Sequence, residues 1–395
     1  MATVILKKGR ARPVLQHHPW IFSGAIARIE GEAQDGDVVV VRDAGGNFLA
    51  RGTLNRRSQI TVRLLTWDQD EAIDGDFWRA RLAQAIAGRR ALAGDPATTA
   101  YRLVNAEADL LPGLIVDRYG DILVVQFLTL GMDVRKGEIV PLLAELARPR
   151  GIYERCDAEM RAKEGLSSQE GCLWGEEPPD LLQILENGLR FWVDVKRGQK
   201  TGFYLDQREN RRRAQVYCPG RTVLNAFAYT GGFAVYAAAV GAGQITNVDS
   251  SAEALDLAQR NMALNGCAAR DDEFVRGDVF QVLRRYRAQG RFFDVVILDP
   301  PKFAHTQAQV KRAARGYKDI NLLALQLLRP GGVLVTFSCS GQISTDLFQK
   351  IVFGASVDAG RDVQIIERLS QGPDHPVLLS FPESQYLKGL VCRVL

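Results

Sequence analysis

Residues 222–251, TVLNAFAYTGGFAVYAAAVGAGQITNVDSS, decide the fold of this chain. The β-branched and apolar residues at 222–225 predict a strand, followed by a loop of small residues, an alanine-rich helix and a second strand that ends at Asp249. Gly231 and Gly232 allow positive φ and a close approach of the backbone to a ligand. Asp249 stands at the carboxyl end of its strand, where open parallel sheets bind ligands, and its carboxylate can accept both hydroxyls of a ribose.

The sequence of the loop at 226–233, AFAYTGGF, distinguishes between two classes of ligand, a dinucleotide and an adenosine cofactor without phosphates. A dinucleotide-binding unit places an acid about 20 residues after its glycines, and Asp249 follows Gly231 by 18 residues. The loop has no G-x-G-x-x-G to hold a pyrophosphate, so an adenosine cofactor without phosphates fits better, and S-adenosylmethionine is the common one. On this unit alone, an ordinary βαβ crossover with an incidental strand-end Asp stays open as the alternative.

Composition narrows the class of protein. A chain of 395 residues predicts two or three domains. No apolar run reaches the ~18 residues of a membrane span, and the first residues, MATVILKKGR, have no secretion signal, so we expect a cytoplasmic protein without membrane contact. The six Cys and four His show neither C-x-x-C nor metal-ligand spacing, which argues against a disulfide framework and a metal site.

The chain divides into three predicted domains. Residues 1–70 read as a small β barrel, because short alternating runs at 37–43, 48–55 and 59–65 are separated by Gly, Asp and Asn turns. Residues 1–65 carry ten Lys or Arg against five acids, a net charge of +5, which hints at a polyanion partner. Basic residues on an ordinary solvated surface remain the alternative.

The second predicted domain, residues 72–185, has α/β character. We expect a helix at 77–93, three strand-like runs from 101 to 128, a helix at 136–147 and a linking segment at 165–180. Its role is open between shaping a substrate cleft and acting as a structural spacer.

The third predicted domain, residues 186–395, holds the 222–251 unit. A strand at 189–195 and an arginine-bearing helix from about Asp206 precede that unit, and Phe203 is placed to cover the cofactor. The arginines could equally form a solvated helix face. A helix at 252–264 and strands at 273–278, 294–299 and 333–338 complete an α/β fold with a doubly wound parallel sheet.

Two loops of this sheet carry the chemistry. The residues beyond the fourth and fifth strands flank one crevice, so Asp299-Pro300-Pro301 and Ser338-Cys339-Ser340 should face each other across the substrate. The two prolines stiffen their loop, which leaves Asp299 to engage a flat polar group, and Phe303 could stack on a base.

Cys339 decides the predicted reaction. A cysteine in a β context is usually a small buried hydrophobe, but this thiol lies at the carboxyl end of a strand, where a thiolate could act as nucleophile. A methyltransferase needs such a thiolate to methylate carbon 5 of a pyrimidine: addition to carbon 6 makes carbon 5 nucleophilic. Methylation of an exocyclic amine needs no cysteine. The target base must be unstacked or lie in an unpaired loop.

With these motifs the chain resembles the PUA-domain-containing 23S ribosomal RNA cytosine-C5 methyltransferases, a class I, S-adenosylmethionine-dependent family. The resemblance covers nearly the whole chain, and its specific parts are the runs GQKTGFYLDQREN at 198–210, NAFAYTGGF at 225–233, DPPKF at 299–303 and FSCS at 337–340. It implies an N-terminal PUA-like RNA-binding pseudobarrel, a partner in large-subunit ribosomal RNA and Cys339 as the nucleophile. It also implies a cofactor site lined by Asn225, Ala226, Tyr229, Thr230, Gly231, Asp249, Asp278 and Asp299.

We add Phe203, Ser250 and Val279 to the predicted cofactor site, and Lys302 and Phe303 as predicted substrate contacts. Many related cytosine-C5 enzymes carry a second cysteine after the proline of the fourth-strand loop, which assists product release. Here Pro301 and Lys302 follow Pro300 instead, so release must work differently. Asp299 is a candidate for the base that removes the carbon-5 proton.

Three competing interpretations remain at this stage. A guanine-N2 RNA methyltransferase typically has an aromatic residue directly after Asn or Asp-Pro-Pro, whereas Lys302 intervenes here. An RNA-binding ribosome-assembly protein without catalytic activity would leave the intact loop and Cys339 unused. A uracil-C5 enzyme shares both loops, so the choice of cytosine rests on the resemblance. The modified nucleotide and the oligomeric state, a homodimer included, are left open.

Overall fold

The computed structural model describes residues 2–267, 272–304 and 306–395, which form two compact units. The first unit consists of Met1–Ile184, Val193–Leu205 and Pro373–Ser384, and the second of Leu185–Trp192, Asp206–Gly372 and Gln385–Leu395. No helix among the described residues has the length and apolar character needed to cross a membrane.

The N-terminal part of the first unit is a six-stranded sheet in the order β2-β6-β5-β4-β1-β3. Core side chains stand two residues apart in β1, β4 and β6, as the alternating pattern predicts: Val4 and Leu6, Val39 and Val41, and Val62 and Leu64. Its elements are β1 (Thr3–Leu6), α1 (Arg12–Leu15), β2 (Trp20–Phe22), β3 (Ile26–Glu30), β4 (Val38–Arg42), β5 (Phe48–Leu54) and β6 (Ile60–Thr66).

The rest of the first unit is built on a five-stranded sheet in the order β11-β10-β9-β8-β7. Helices α2 and α5 contribute buried residues to the same core as its strands. The elements are α2 (Gly75–Ala87), α3 (Arg90–Ala93), β7 (Ala100–Asn105), β8 (Leu114–Tyr119), β9 (Ile122–Phe127), α4 (Leu130–Asp133), α5 (Lys136–Ala147), β10 (Gly151–Glu154), α6 (Ala158–Lys163) and β11 (Gly171–Gly175).

Two predictions for this region are wrong in detail. The helix expected at 77–93 is divided into α2 and α3, because Gly88 ends the first of them. The segment 165–180, expected as a linker, contains β11, which pairs antiparallel with β10. Its Gly and Glu content obscures a strand that lies at the edge of the sheet, where only one neighbour constrains the side chains.

A two-stranded sheet of β12 (Leu182–Glu186) and β13 (Leu189–Val193) precedes the main sheet of the second unit. The main sheet has seven strands in the order β16-β15-β14-β17-β18-β20-β19. Its elements are α7 (Arg208–Ala214), β14 (Thr222–Ala226), α8 (Gly232–Ala239), β15 (Gln244–Asp249), α9 (Ala252–Leu264), β16 (Glu273–Arg276), α10 (Val279–Ala288), β17 (Phe293–Leu298), α11 (Val310–Leu327), β18 (Leu328–Ser338), α12 (Thr345–Ala359), β19 (Val363–Ser370) and β20 (Lys388–Val394).

The first five strands of this sheet are parallel, which confirms the doubly wound fold. Four of the five residues of β14 and five of the six residues of β17 are buried, as is typical of central strands of a parallel sheet. The predicted helix at 252–264 matches α9, whose first turn is capped by the Ser251 hydroxyl. Sequence reasoning missed β19 and β20, which extend the sheet antiparallel beside β18.

The arginines of α7 are not all on a solvated face, contrary to one of the two interpretations. Arg211 is buried and donates to both carboxylate oxygens of Glu186, at 2.7 Å each. Arg212 is exposed. A buried bidentate pair of this kind fixes helix α7 to strand β12, because losing either partner would leave an uncompensated charge in the interior.

Gly231, at the start of α8, sets the course of the loop that follows β14. Gly231 has φ of +77°, and a Cβ atom added there would lie 2.8 Å from the Cβ of buried Ala258. Gly266, after α9, also has φ of +77°, but nothing lies within 4 Å of its added Cβ.

These two glycines form a matched pair for a stability measurement. We expect Gly266→Ala to lower the free energy of unfolding by about 1–2 kcal/mol, the cost of a left-handed alanine. Gly231→Ala should cost clearly more, since it adds a steric overlap with Ala258 to the same backbone strain. Urea unfolding of both variants checks the difference. Equal losses would contradict the packing described for this loop.

Candidate active site

The loop between β14 and α8 is held in an unusual backbone conformation. Phe227 and Tyr229 both have positive φ, +60° and +47°, although neither is glycine. The backbone N–H of Ala228 donates to the carbonyl of Val248 at 3.0 Å, and that of Gly231 donates to the carbonyl of Ala228 at 2.9 Å. Strained residues held by such bonds are typical of ligand sites.

Asp249, at the end of β15, anchors this loop. One carboxylate oxygen accepts the backbone N–H of Tyr229 at 2.8 Å, and the other accepts the backbone N–H of Ser251 at 3.0 Å. Each oxygen keeps a second lone pair, so the carboxylate can still accept hydroxyl groups of a ribose. The structure therefore brings together Tyr229 and Asp249, two of the predicted cofactor residues.

Two further predicted residues of the loop are buried polar groups. The side-chain amide of Asn225 donates to the side-chain oxygen of Asn247 at 3.0 Å. The hydroxyl of Thr230 is buried and has no hydrogen-bond partner among the described residues. Because a buried hydroxyl normally has a partner, its orphaned state fits a ligand that binds against this loop.

The remaining predicted cofactor residues lie at the neighbouring strand ends. Ala226 is buried at the end of β14, and its carbonyl accepts the backbone N–H of Asp299 at 3.4 Å. Asp278 follows β16 and caps α10 through a bond from the Gln281 backbone at 3.0 Å, which engages one carboxylate oxygen. Val279 is buried behind it and Ser250 is exposed. An orphaned hydroxyl, a left-handed glycine and strand-end carboxylates together fit an adenosine-type cofactor.

Asp299, at the end of β17, lies beside a second carboxylate. The side-chain amide of Gln207 donates to one Asp299 oxygen at 2.9 Å. Burial and the negative charge of Asp206 raise the pKa of Asp299 to about 7, against the effect of the Gln207 bond. Asp206 accepts the Tyr386 hydroxyl at 2.6 Å on one oxygen. Asp299 is thus poised to hold or release a proton near neutral pH.

The loops after β17 and β18 meet as predicted. The thiol Sγ of Cys339 lies 3.9 Å from the Pro300 carbonyl oxygen. The hydroxyl of Ser340 accepts the backbone N–H groups of Phe303 and Ala304, each at 3.2 Å, and lies 3.0 Å from the Tyr317 hydroxyl. The partly buried thiol is therefore held against the Asp-Pro-Pro loop.

Three predicted contacts have other surroundings. Lys302 is exposed, and the ring of Phe303 packs on Tyr317, with centroids 4.6 Å apart. Phe203 belongs to the first unit, where it is buried and its backbone N–H donates to the Tyr119 hydroxyl at 3.2 Å. A role for Phe203 over the cofactor stays a prediction.

Three of the other cysteines differ from Cys339 in exposure. Cys218 and Cys392 are fully buried, and burial raises the pKa of each thiol to about 12. Cys172 is exposed, in the first unit. Within the described residues, no three His, Cys, Asp or Glu side chains are grouped to hold a metal ion.

Sequence reasoning missed three residues of this site. Asp206 and Gln207 meet Asp299 from a distant part of the chain, and Lys388 in β20 binds the loop that follows Cys339. Asp206 and Gln207 lie in the run at 198–210 that carries the resemblance, so that run is the available signal for them. Nothing in the sequence marked Lys388.

The raised pKa of Asp299 has a consequence for stability. Because the folded-state pKa of Asp299 is about 7, above its unfolded value, Asp299 destabilises the fold most above pH 7, where it must ionise in the folded protein. Asp299→Asn should therefore raise Tm more at pH 8 than at pH 5. Asp294 is the matched control. Burial raises its pKa, but hydrogen bonds from Thr222 and Arg329 outweigh burial and lower it, so the ionised carboxylate stabilises the fold. Asp294→Asn should therefore lower Tm at both pH values. Calorimetry of both variants checks this; no pH dependence in the gain for Asp299→Asn would contradict the account.

Comparison with known proteins agrees with this geometry. Residues 162–392 match the family model described as S-adenosylmethionine-dependent methyltransferase, and residues 4–67 match that described as PUA-like domain. "Ribosomal RNA large subunit methyltransferase I" of Klebsiella pneumoniae (strain 342) is 50% identical over 392 residues, covering 99% of this chain and 98% of the relative. The protein of the same name from Shewanella amazonensis is 52% identical over 389 residues, covering 98% of both chains.

A solved structure shares the fold over the whole chain. SMU.776, described as a methyltransferase and solved in complex with SAH, superposes with a TM-score of 0.88 at 24% identity and full coverage of both chains. These matches confirm a class I methyltransferase fold with an N-terminal PUA-like domain and identify S-adenosylmethionine as the cofactor. The chain therefore belongs to the S-adenosylmethionine-dependent methyltransferase family, together with the proteins named Ribosomal RNA large subunit methyltransferase I.

Proposed function

We propose that this protein methylates carbon 5 of a cytosine in large-subunit ribosomal RNA, with Cys339 as the nucleophile. The substrate class follows from relatives about 50% identical over nearly their full length, which are named for that RNA. The setting of Cys339 supports carbon 5 as the methylated atom. Ribosomal RNA as substrate also implies that the protein acts in the cytoplasm.

The contact between Cys339 and the Asp-Pro-Pro loop carries this proposal. A 3.9 Å separation between Sγ and the Pro300 carbonyl oxygen puts the thiol beside the loop expected to hold the target base. Transfer to an exocyclic amine would leave a partly exposed thiol at that position without a task. Addition to carbon 6 of a pyrimidine gives it one.

The steps assigned to Cys339 are addition and elimination. Its thiolate adds to carbon 6 of the cytosine, which breaks the double bond between carbons 5 and 6 and makes carbon 5 electron-rich. S-adenosylmethionine, when bound, supplies the electrophilic methyl group for carbon 5. Loss of the carbon-5 proton then restores the double bond and expels the Cys339 thiolate, so the enzyme returns to its starting state.

We assign two roles to Asp299: it contacts the target cytosine, and it removes the proton from carbon 5. Its position at the end of β17 and its pKa of about 7 make both protonation states available near neutrality. The ionised form can accept a hydrogen bond from the cytosine amino group and can take the carbon-5 proton. This assignment explains how product leaves without a second cysteine, since Pro301 and Lys302 occupy the positions after Pro300.

The first unit is assigned to RNA binding. Its N-terminal sheet matches a PUA-like domain, and residues 1–65 carry a net charge of +5, which suits a phosphate backbone. Lys302 and Phe303 stay proposed substrate contacts, and residues 72–185 are proposed to shape the substrate cleft. We retain residues 186–395 as the proposed catalytic domain.

The test compares the wild type with Cys339→Ala and a matched control, Cys172→Ala, on ribosomal RNA that lacks its own modifications. A labelled methyl group is supplied on S-adenosylmethionine, and the nucleosides are then separated. We expect 5-methylcytidine from the wild type and from Cys172→Ala. Cys339→Ala should lose at least about 1,000-fold in rate, as expected for loss of a nucleophile, while its cofactor affinity is unchanged.

Two results would overturn the proposal. If Cys339→Ala still methylates RNA at a comparable rate, the thiol is structural. If the labelled nucleoside is N2-methylguanosine, the competing guanine enzyme is correct, and 5-methyluridine would identify a uracil enzyme instead.

A further inference from the structure

Lys388 is a buried lysine next to the loop of Cys339. It begins strand β20, where its register partner in β18 is Ser338, the residue before Cys339. Its side chain is buried, and its Nζ donates to the carbonyl oxygen of Ser340 at 2.6 Å and to that of Ile343 at 2.7 Å. Lys388 therefore binds the backbone on the far side of Cys339.

A buried ammonium group is costly, and this one lacks the usual compensation. Buried lysines are almost always paired with a carboxylate. Over the described ranges, no salt bridge to Lys388 is formed, and its two bonds are to neutral carbonyls. An apolar side chain would extend the antiparallel pairing of β18 and β20 equally well. The charge at this position therefore calls for another explanation.

The charged and titratable groups that act on Cys339 or on Lys388 come from three elements. They are Lys388 from β20, Lys302 from the loop after β17 and Tyr317 from α11. Burial lowers the pKa of Lys388 to about 8; a negative charge on Cys339 raises it, and the positive charge of Lys302 lowers it. Of the two side chains whose charges act on Lys388, only Cys339 can carry a negative charge.

We propose that Lys388 is a positioning residue for Cys339: its ammonium holds the turn at 340–343 and stabilises the thiolate by its positive charge. This inference rests on the proposed function, in which Cys339 is the nucleophile. A neighbouring cation is a general means of increasing the thiolate fraction of a cysteine. Here the ammonium group is held by two neutral backbone carbonyls rather than by a carboxylate, so no negative partner offsets its positive charge toward the Cys339 sulfur.

The effect should depend on pH in one direction. Lys388 carries its charge below about pH 8 and loses it as the pH rises through that value. Its help to the thiolate is therefore greatest near neutrality and fades in alkaline solution, where Cys339 ionises without help. A purely structural lysine would affect the enzyme to a similar extent at pH 7 and at pH 9.5.

The test measures alkylation of Cys339 by iodoacetamide in the full-length protein from pH 5.5 to 9.5, with each modified cysteine quantified by peptide mass spectrometry. The variants are Lys388→Met, Lys388→Gln, which keeps a donor for the carbonyls but no charge, and Lys388→Arg, which keeps the charge. Lys350→Met is the matched control, because Lys350 is exposed and pairs with Asp346 on α12. Cys172 serves as the internal reference thiol.

We expect Lys388→Met and Lys388→Gln to lower the alkylation rate of Cys339 about 10-fold at pH 7 and hardly at all at pH 9.5, as for a thiol pKa raised by about one unit. Lys388→Arg should retain most of the rate, and Lys350→Met should match the wild type. An unchanged pH profile in Lys388→Gln would overturn the inference. If both uncharged variants fail to fold, the wild-type protein provides the test. Its Cys339 should reach half of its maximal alkylation rate at a lower pH than Cys172, and the opposite order would overturn the inference.

The two proposals fail differently. Alkylation reports the state of the thiol whether or not RNA is methylated. If Cys339→Ala remains an active methyltransferase, the proposed function fails while the alkylation profile stands. If Cys339→Ala is inactive and the alkylation profiles are unchanged, only the role of Lys388 is rejected.

Discussion

The parallel pairing of β14 with both β15 and β17 is the constraint on which the site depends. It aligns Ala226, Val248 and Leu298 in register, so the loops that follow these strands emerge at one edge of the sheet. From β14 the sheet continues to β15 and β16 on one side and to β17 and β18 on the other, and this reversal opens a crevice between the loop after β14 and the Asp-Pro-Pro loop after β17. The hydrogen bonds of Asp249 and Ser340 then fix loop positions that this pairing has already brought together.

Two titratable groups near the crevice, Asp299 and Lys388, have pKa values shifted from their ordinary ones. Burial and Asp206 raise the pKa of Asp299 to about 7, and burial lowers that of Lys388 to about 8. Neither shift helps the fold at neutral pH, since each disfavours the charged form in the folded protein. Such costs are typical of sites whose chemistry needs groups that change protonation near pH 7. The loop between β14 and α8, with Phe227 and Tyr229 at positive φ, adds backbone strain at the same edge.

Local patterns in the sequence were enough to predict much of this architecture. The alternation from strand to loop to helix at 222–251, the run ending at Asp299 and the apolar strand before Cys339 each indicate their local structure. The sheet and the contact between the loops after β17 and β18 could therefore be predicted. The contact of Gln207 with Asp299 was not, because it joins residues far apart in sequence without any periodic signal. Lys388 was missed for the same reason, and β20 could not be recognised as antiparallel from its composition.

A trapped covalent intermediate tests the central claim most directly. Large-subunit RNA that carries 5-fluorocytosine would be incubated with the protein and S-adenosylmethionine, and any stable protein–RNA complex digested and mapped. A fluorine on carbon 5 cannot leave as a proton does, so elimination stops with the sulfur still bonded to carbon 6. The account predicts a cross-link at Cys339 that is absent from Cys339→Ala. A cross-link at another residue, or none from an enzyme active on ordinary RNA, would contradict it.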